Sequence, residues 1–582
     1  MRRLALLLFP ISAFAAPLCD YQVEMVGVDN RELRQALLNR SELIALQERP
    51  PASLNSLRYR ATNDLPALLR TLRAYGFYEG EVSFQIEEFE GHATVTLIVS
   101  TGPQYTIGSY TLVDTSHTAP LPFTFTDLGV DPGTPAQSTA ILNAELRALQ
   151  QLANQGHPLA VVEARKIDVD MLEHQVDASA AIDVGPLAAF GPTTLFGLRD
   201  VSPRFIEHKI AWKQGAQYTD IDIEETSRRL LKSDLFGSVL ISHAPALDEK
   251  GELPMKLLVS EAKHKSVAVG LSYATVDGVG GSVTWTNRNF RGMGELISFR
   301  AEGASLPYYS GILAYKKPDF LRFDQSLAIA AEVSYINIRP YLSIDYTLNQ
   351  IFERKWGTQN LFSVGLQEEY IDVKESANNG KFWLIELPVF IRYAAADPVL
   401  DPTQGFSVTY ACIPFQSLEH AHTHYIKQRL NLNVYCPLYS KWVVLACRIQ
   451  AGSVAGAPQD DIPVPKLFFG GSEDDLRGYR YQTVSPLNAT GKPKGGRSAL
   501  YTTAEFRFRL TQTLGLVAFG DFGTVATNPV PQIATKWFKS VGAGLRYYTY
   551  FGPLRLDIGV PLDRRKAFDP PVTVYVNIGQ AF

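Results

Sequence analysis

The chain has 582 residues, 46% of them hydrophobic and 20% charged, with a formal net charge of −4 at pH 7. That charge argues against nucleic acid as a partner, and four cysteines are too few for a disulfide scaffold. No Cys/His metal spacing, phosphate loop or nucleophile–base spacing stands out, so the sequence predicts no enzyme, metal or cofactor.

The first 16 residues have the grammar of a secretory signal. Arg2 and Arg3 supply the charge, Leu4 to Phe14 the apolar run, and Ala13-Phe14-Ala15 a small-x-small cleavage site. Interrupted by Pro10, the run is too short to span a bilayer as a helix. Leu18 stands where lipid attachment at Cys19 needs a small residue, which argues against an anchor there.

Residues 17–263 repeat with a period of about 80 residues, which divides them into units 17–103, 104–186 and 187–263. Each has a helical stretch closed by glycine: Leu68 to Gly76, Leu146 to Gly156, and Thr226 to Gly237. Glycine suits the left-handed backbone that ends a helix. A strand then runs into Gly102-Pro103 in the first unit and Gly185-Pro186 in the second. The pattern reads strand, two helices, two strands, an α+β repeat in three copies.

From 264 to 582 helical periodicity gives way to period-two alternation. Val267, Val269, Leu271 and Tyr273 share one face of a first strand, Ser266–Thr275. Val572, Val574, Val576, Ile578 and Phe582 share one face of a last strand, Val572–Phe582. Strands that alternate lipid-facing and lumen-facing residues average to neutral hydropathy, so a transmembrane antiparallel β-barrel fits this half. At roughly 10 residues per strand and a similar length per connection, the region holds about 16 strands. A soluble sandwich also alternates, yet it needs a second sheet to bury its apolar side, and no chain remains for a separate core.

Within this half, Leu467-Phe468-Phe469-Gly470-Gly471, then Leu476-Arg477-Gly478-Tyr479, places an arginine in a long loop rich in glycine and proline. Glu505 shares its strand face with Tyr501, Thr503, Arg507 and Arg509, which points it into the lumen. On spacing alone it could pair either with Arg477 or with neighbouring Arg507 or Arg509. His420, His422 and His424 alternate, but with no carboxylate or thiolate pair nearby they read as a solvated turn.

The Phe-Phe-x-Gly-Gly and x-Arg-Gly-Tyr wording, with Phe519-Gly520-Asp521-Phe522-Gly523, resembles the Omp85 superfamily of outer-membrane assembly barrels. Continued through Arg480 to Pro486, and in Phe551 to Asp557, it is most similar to the TamA branch. The N-terminal repeats are similar to POTRA domains, and three copies is the number that branch implies. The resemblance implies that the loop folds back inside the barrel, where Arg477, Gly478 and Tyr479 would lock against Glu505 and Asp521. An arginine held there needs the bidentate acceptor that a carboxylate provides.

Tyr575, Gly579 and Phe582 look like the β-signal that such barrels present for their own insertion. Gly270 in the first strand and Gly579 in the last would weaken the seam that closes the barrel, a glycine in a strand being a poor pairing residue. The function implied is an outer-membrane factor that promotes insertion or secretion of β-rich proteins such as autotransporters. Its periplasmic POTRA units would meet nascent outer-membrane proteins, and a TamB-like, inner-membrane-anchored partner would dock on the first. Contact with membrane lipid and a part in phospholipid transport are also implied. A BamA-type general insertase and a passive pore are the alternatives.

Overall fold

A computed structural model describes residues 19–578, except 90–91, 117–118, 275–277, 306–307, 377, 397–400, 420–422, 532–535, 550–551 and 567. The signal segment 1–16, Gly579 and Phe582 lie outside the described residues, as do His420 and His422.

The N-terminal region carries three small sheets, each with helices between its first and later strands. In the first, Asp20–Val26 runs parallel to His92–Ser100, which pairs antiparallel with Glu81–Phe89. The second is built on Thr106–Asp114 and Gln175–Asp183 and the third on Ala189–Phe196 and Glu252–Glu261, again parallel pairs. Alternation sends Val95 and Leu97 to one face, where Leu57, Leu68 and Leu72 of the helix Leu54–Ala74 cover them. All five are fully buried, and each leucine or valine buried this way contributes about 1.5–3 kcal/mol.

Three details depart from the repeat read in the sequence, one of them a fourth, two-residue strand, Ala119–Pro120, in the second sheet. The first unit has a third, four-residue helix, Glu42–Ala45, whose amide end is held by Asp64 of the long helix. The Asp64 carboxylate accepts from Ser41 Oγ at 2.5 Å, Glu42 N at 2.9 Å and Leu43 N at 3.3 Å. In the third unit Gly237 does not close the helix. Asp234 takes the left-handed conformation there, with φ +57°, and Gly237 falls inside the strand Phe236–His243. Gly76 and Gly156 do occupy left-handed positions, with φ of +87° and +99°.

The C-terminal region forms a single sheet of 17 strand segments, consecutive and antiparallel from Lys265–Ala274 to Thr573–Ile578. Gly380–Glu386 and Val389–Ala394 pair with the same two neighbours, Asn360–Lys374 and Gly405–Ser417, so they occupy one place in the sheet. Pro388, with no N–H to give the ladder, lies in the break. The first and last strands are in contact, which curls the sheet into a barrel.

Solvation of this sheet is inverted. Val267, Val269 and Leu271 are 67%, 73% and 89% exposed on the outside, while Arg477, Glu505, Arg546 and Asp557 are buried within. A soluble sandwich would do the opposite, and the inversion excludes it.

The segment Gly197–His208 belongs to the same compact unit as the barrel. The Glu261 carboxylate accepts from the backbone N–H of Arg199 at 2.7 Å and Val201 at 3.0 Å, and from that of Asp200. The same segment is tied to the turn after Gly278–Asn287, since Ser202 N donates to Gly292 O at 2.8 Å and Asn289 Nδ2 to Asp200 O at 3.0 Å.

Candidate functional site

Residues 456–497 link the strands Val443–Ala455 and Ser498–Arg509, and they fold into the barrel rather than away from it. Leu467, Leu476, Tyr479 and Val484 pack against wall residues Ile371, Leu384, Val525 and Phe538. This apolar seating carries Arg477 to the wall and strips it of water; its side chain is 2% exposed.

Arg477 then finds an acceptor for each edge of its guanidinium. Nε donates to Asp521 Oδ2 at 2.9 Å and Nη2 to Asp521 Oδ1 at 2.8 Å, a bidentate fork. Nη1 donates to Glu505 Oε1 at 2.6 Å and reaches Asp557 Oδ2 at 3.4 Å. The backbone N–H of Arg477 also donates to Asp521, at 3.1 Å. The cation lies 3.3 Å from the ring centroid of Phe519, stacked against its face.

The carboxylates have further partners. Glu505 pairs with Arg507 through its second oxygen at 3.0 Å, so the loop pairing and the neighbour pairing coexist. Arg509 turns elsewhere, to Asp401 at 3.6 Å and over the Tyr548 ring at 3.9 Å. Asp557 accepts from Arg546 at 2.5 Å. Each buried charge has an opposite neighbour, the condition under which a buried ion cluster persists.

Gly478 is where the chain must be glycine. Its φ is +90°, and a Cβ would stand 3.0 Å from Gly559 C and Pro561 N in the strand Gly552–Pro561. The loop thus lies directly on the wall backbone. Tyr479, 1% exposed, donates its hydroxyl to Lys539 O at 2.7 Å and packs edge-on to Phe538. The structure therefore brings Arg477, Gly478, Tyr479, Glu505 and Asp521 into one cluster, with Tyr575 beside it: Gly478 N donates to Tyr575 OH at 2.8 Å. Gly270 stands apart in the first strand, where a Cβ would come 2.7 Å from Ser282 Oγ.

Sequence reasoning missed two members. Asp557 lies on an inward face that alternation reveals, but nothing nearby in sequence points it at Arg477. Lys466 pairs with Glu369 and, at 2.7 Å, with Glu386, and it is nearly buried. Its partners lie on the strands Asn360–Lys374 and Gly380–Glu386, and the one weak signal was a lysine between prolines and an aromatic run. Lys427 Nζ donates to Lys466 O at 2.6 Å and fixes the backbone at that end.

No cofactor cradle is evident among the described residues. Asp200, Glu261 and His264 bring three possible metal-ligand atoms within 4.8 Å of one another, but the Glu261 carboxylate is already engaged by backbone amides. His424 begins the strand His424–Tyr439. Cys19, Cys412, Cys436 and Cys447 are all free thiols.

A similarity search agrees with this architecture. The chain is 23% identical over 444 residues to the outer membrane protein assembly factor BamA of Nitratidesulfovibrio vulgaris. That alignment covers 71% of this chain and 53% of the relative, so the chain spans about half the length of the curated relative it matches. BamA from Haemophilus ducreyi lacking POTRA domains 1–3 shares the fold, with a TM-score of 0.70 at 16% identity over 81% of this chain and 99% of that one. The profile of the Omp85 superfamily domain matches residues 289–582, just over half of the chain and all of the ion cluster. With this inverted barrel and inward loop, the chain belongs to the Omp85 superfamily of outer-membrane β-barrel proteins.

Proposed function

We propose that the chain is an outer-membrane assembly factor of the TamA type, promoting insertion or secretion of β-barrel proteins such as autotransporters. The observation that carries this is the buried Arg477 fork, which pins an inner loop to a barrel wall close to the last strand. A loop fastened there holds the barrel in shape while the seam, bearing Gly270 and Gly579, opens towards lipid. No bond chemistry is involved; folding of the substrate supplies the driving force.

The units 17–103, 104–186 and 187–263 act as POTRA domains, guiding nascent chains in the periplasm, with 264–582 as the barrel. The first docks a TamB-like partner, and phospholipid transport between membranes is a second use of the same assembly. A BamA-type general insertase is the competing reading, favoured by the names of the relatives. The wording around Arg477 and through Phe551 to Asp557 supports the TamA type instead.

Depletion followed by an inventory of outer-membrane proteins separates the readings. Loss of a narrow set rich in autotransporters is expected; broad loss would favour the general insertase, and an unchanged inventory would leave only a pore. Arg477→Lys keeps the charge but cannot make the fork. Substrate assembly in that variant should fall, and assembly equal to wild type would remove the loop from the mechanism.

A further inference from the structure

Among the described residues, the last strand, Thr573–Ile578, pairs with Gly552–Pro561 at six register positions, Leu554 opposite Ile578 to Gly559 opposite Thr573. Three successive inward-facing pairs of that ladder are Arg555–Asn577, Asp557–Tyr575 and Gly559–Thr573. The inner loop touches all three. At the third pair, Thr573 Oγ1 donates to Gly478 O at 3.1 Å, and Gly559 lies against Gly478. At the second, Gly478 N donates to Tyr575 OH at 2.8 Å while Arg477 reaches Asp557.

The first pair is held differently. One oxygen of Glu473 accepts from Asn577 Nδ2 at 2.8 Å, and the other accepts from Arg555 Nη2 at 2.8 Å. A single carboxylate therefore spans two residues that face each other across the ladder. It is the contact nearest the chain end, with only Ile578 pairing beyond it among the described residues.

We propose that Glu473 is a positioning residue for the last strand, one side of the seam: its carboxylate staples that strand to the preceding one through the Arg555–Asn577 pair. Release of the loop and loosening of the last strand then become one event. A terminal strand, ordered by fewer contacts than the strands inside the sheet, opens more readily than they do. A charge-assisted acceptor that spans the Arg555–Asn577 pair opposes that opening. Because the same loop carries Arg477, a shift at the ion cluster reaches the last strand along five residues of backbone (473–477). The inference rests on the assembly reading for its purpose but not for its geometry.

Hydrogen exchange of the full mature chain in lipid nanodiscs tests it without any substrate. Glu473→Ala should speed exchange across residues 573–578 by about tenfold, with the strand Leu514–Ala526 unchanged. Glu473→Gln keeps an oxygen for Asn577 and loses the charge facing Arg555, so its rate should fall between the two. Wild-type rates in Glu473→Ala, or a rise shared equally by 514–526, would overturn the staple. Should Glu473→Ala fail to fold, Asn577→Ala removes only the outer partner, and the same rise at 573–578 is required of it. A loosened last strand with normal substrate assembly would sink the seam reading and leave the staple standing.

Discussion

The helix-covered sheets of the N-terminus and the barrel use the same period-two alternation to opposite ends. In the first unit Val95 and Leu97 turn towards Leu68 and Leu72, and the polar alternates meet water. In the barrel Val267, Val269 and Leu271 face outward, and the alternate positions carry Glu505, Arg507, Asp521 and Asp557 into a packed interior. Alternation announces two faces, while the partner surface decides which is the inside. In the first region stability comes from apolar area; in the second an apolar plug lowers the dielectric around an ion cluster, and every charge then depends on its neighbours.

The comparison is sharpened most by removing one charge. Arg477→Ala takes the bidentate cation from buried Asp521, while Glu505 and Asp557 keep Arg507 and Arg546, at a cost of about 3–5 kcal/mol. The temperature at which the barrel loses its folded gel mobility should drop well below that of the wild type. An unchanged temperature would mean that the cluster is structurally idle. An apolar truncation in the other region, Leu68→Ala, should cost about 2–5 kcal/mol. Its effect should show as protease sensitivity within residues 20–100 while the barrel mobility stays constant. A coupled loss of both would break the distinction between the two kinds of core.

On the lipid face, Val269→Arg should destabilise by about 2–4 kcal/mol if it sits near mid-membrane, falling towards zero near an interface. Parallel measurements at Val267 and Leu271 would map depth along the first strand. Equal tolerance at all three would contradict their lipid exposure.

The smallest effect is one of pH, at Glu261. Burial raises its pKa, but the amides of Arg199, Val201 and Asp200 outweigh that and hold the carboxyl below its ordinary value. A depressed folded value means that its stabilisation is complete above the usual glutamate range and is lost as pH falls through the lowered value. Exchange at residues 199–201, corrected for intrinsic pH dependence, should therefore stay protected at neutral pH and open only in acid. Glu261→Gln should show part of that opening at pH 7, by about 1 kcal/mol.

Much of this was legible because it is local. Alternation puts Glu505 and Asp557 on inward faces, and the glycine after each of the first two long helices marks its end. The short helix at Glu42–Ala45 was not legible, because its amide end is satisfied by Asp64, some 20 residues on in another helix. Asp234, not Gly237, takes the left-handed backbone because an aspartate tolerates that conformation and the strand begins before the glycine, at Phe236. Lys466 escaped notice because its two carboxylates come from strands 80 residues or more earlier. A buried pairing of that reach depends on how the sheet curls, which no local pattern encodes.

Gly478 resting on Gly559 has a consequence for the order in which the molecule is made. Its loop is synthesised before Asp521, Asp557 and Tyr575, so as the loop emerges Arg477 has none of these partners. Only when the final hairpin has taken its place can the glycines meet and the guanidinium shed its water. The full set of contacts around Arg477 and Gly478 therefore waits on the strands that carry Asp521, Asp557 and Tyr575.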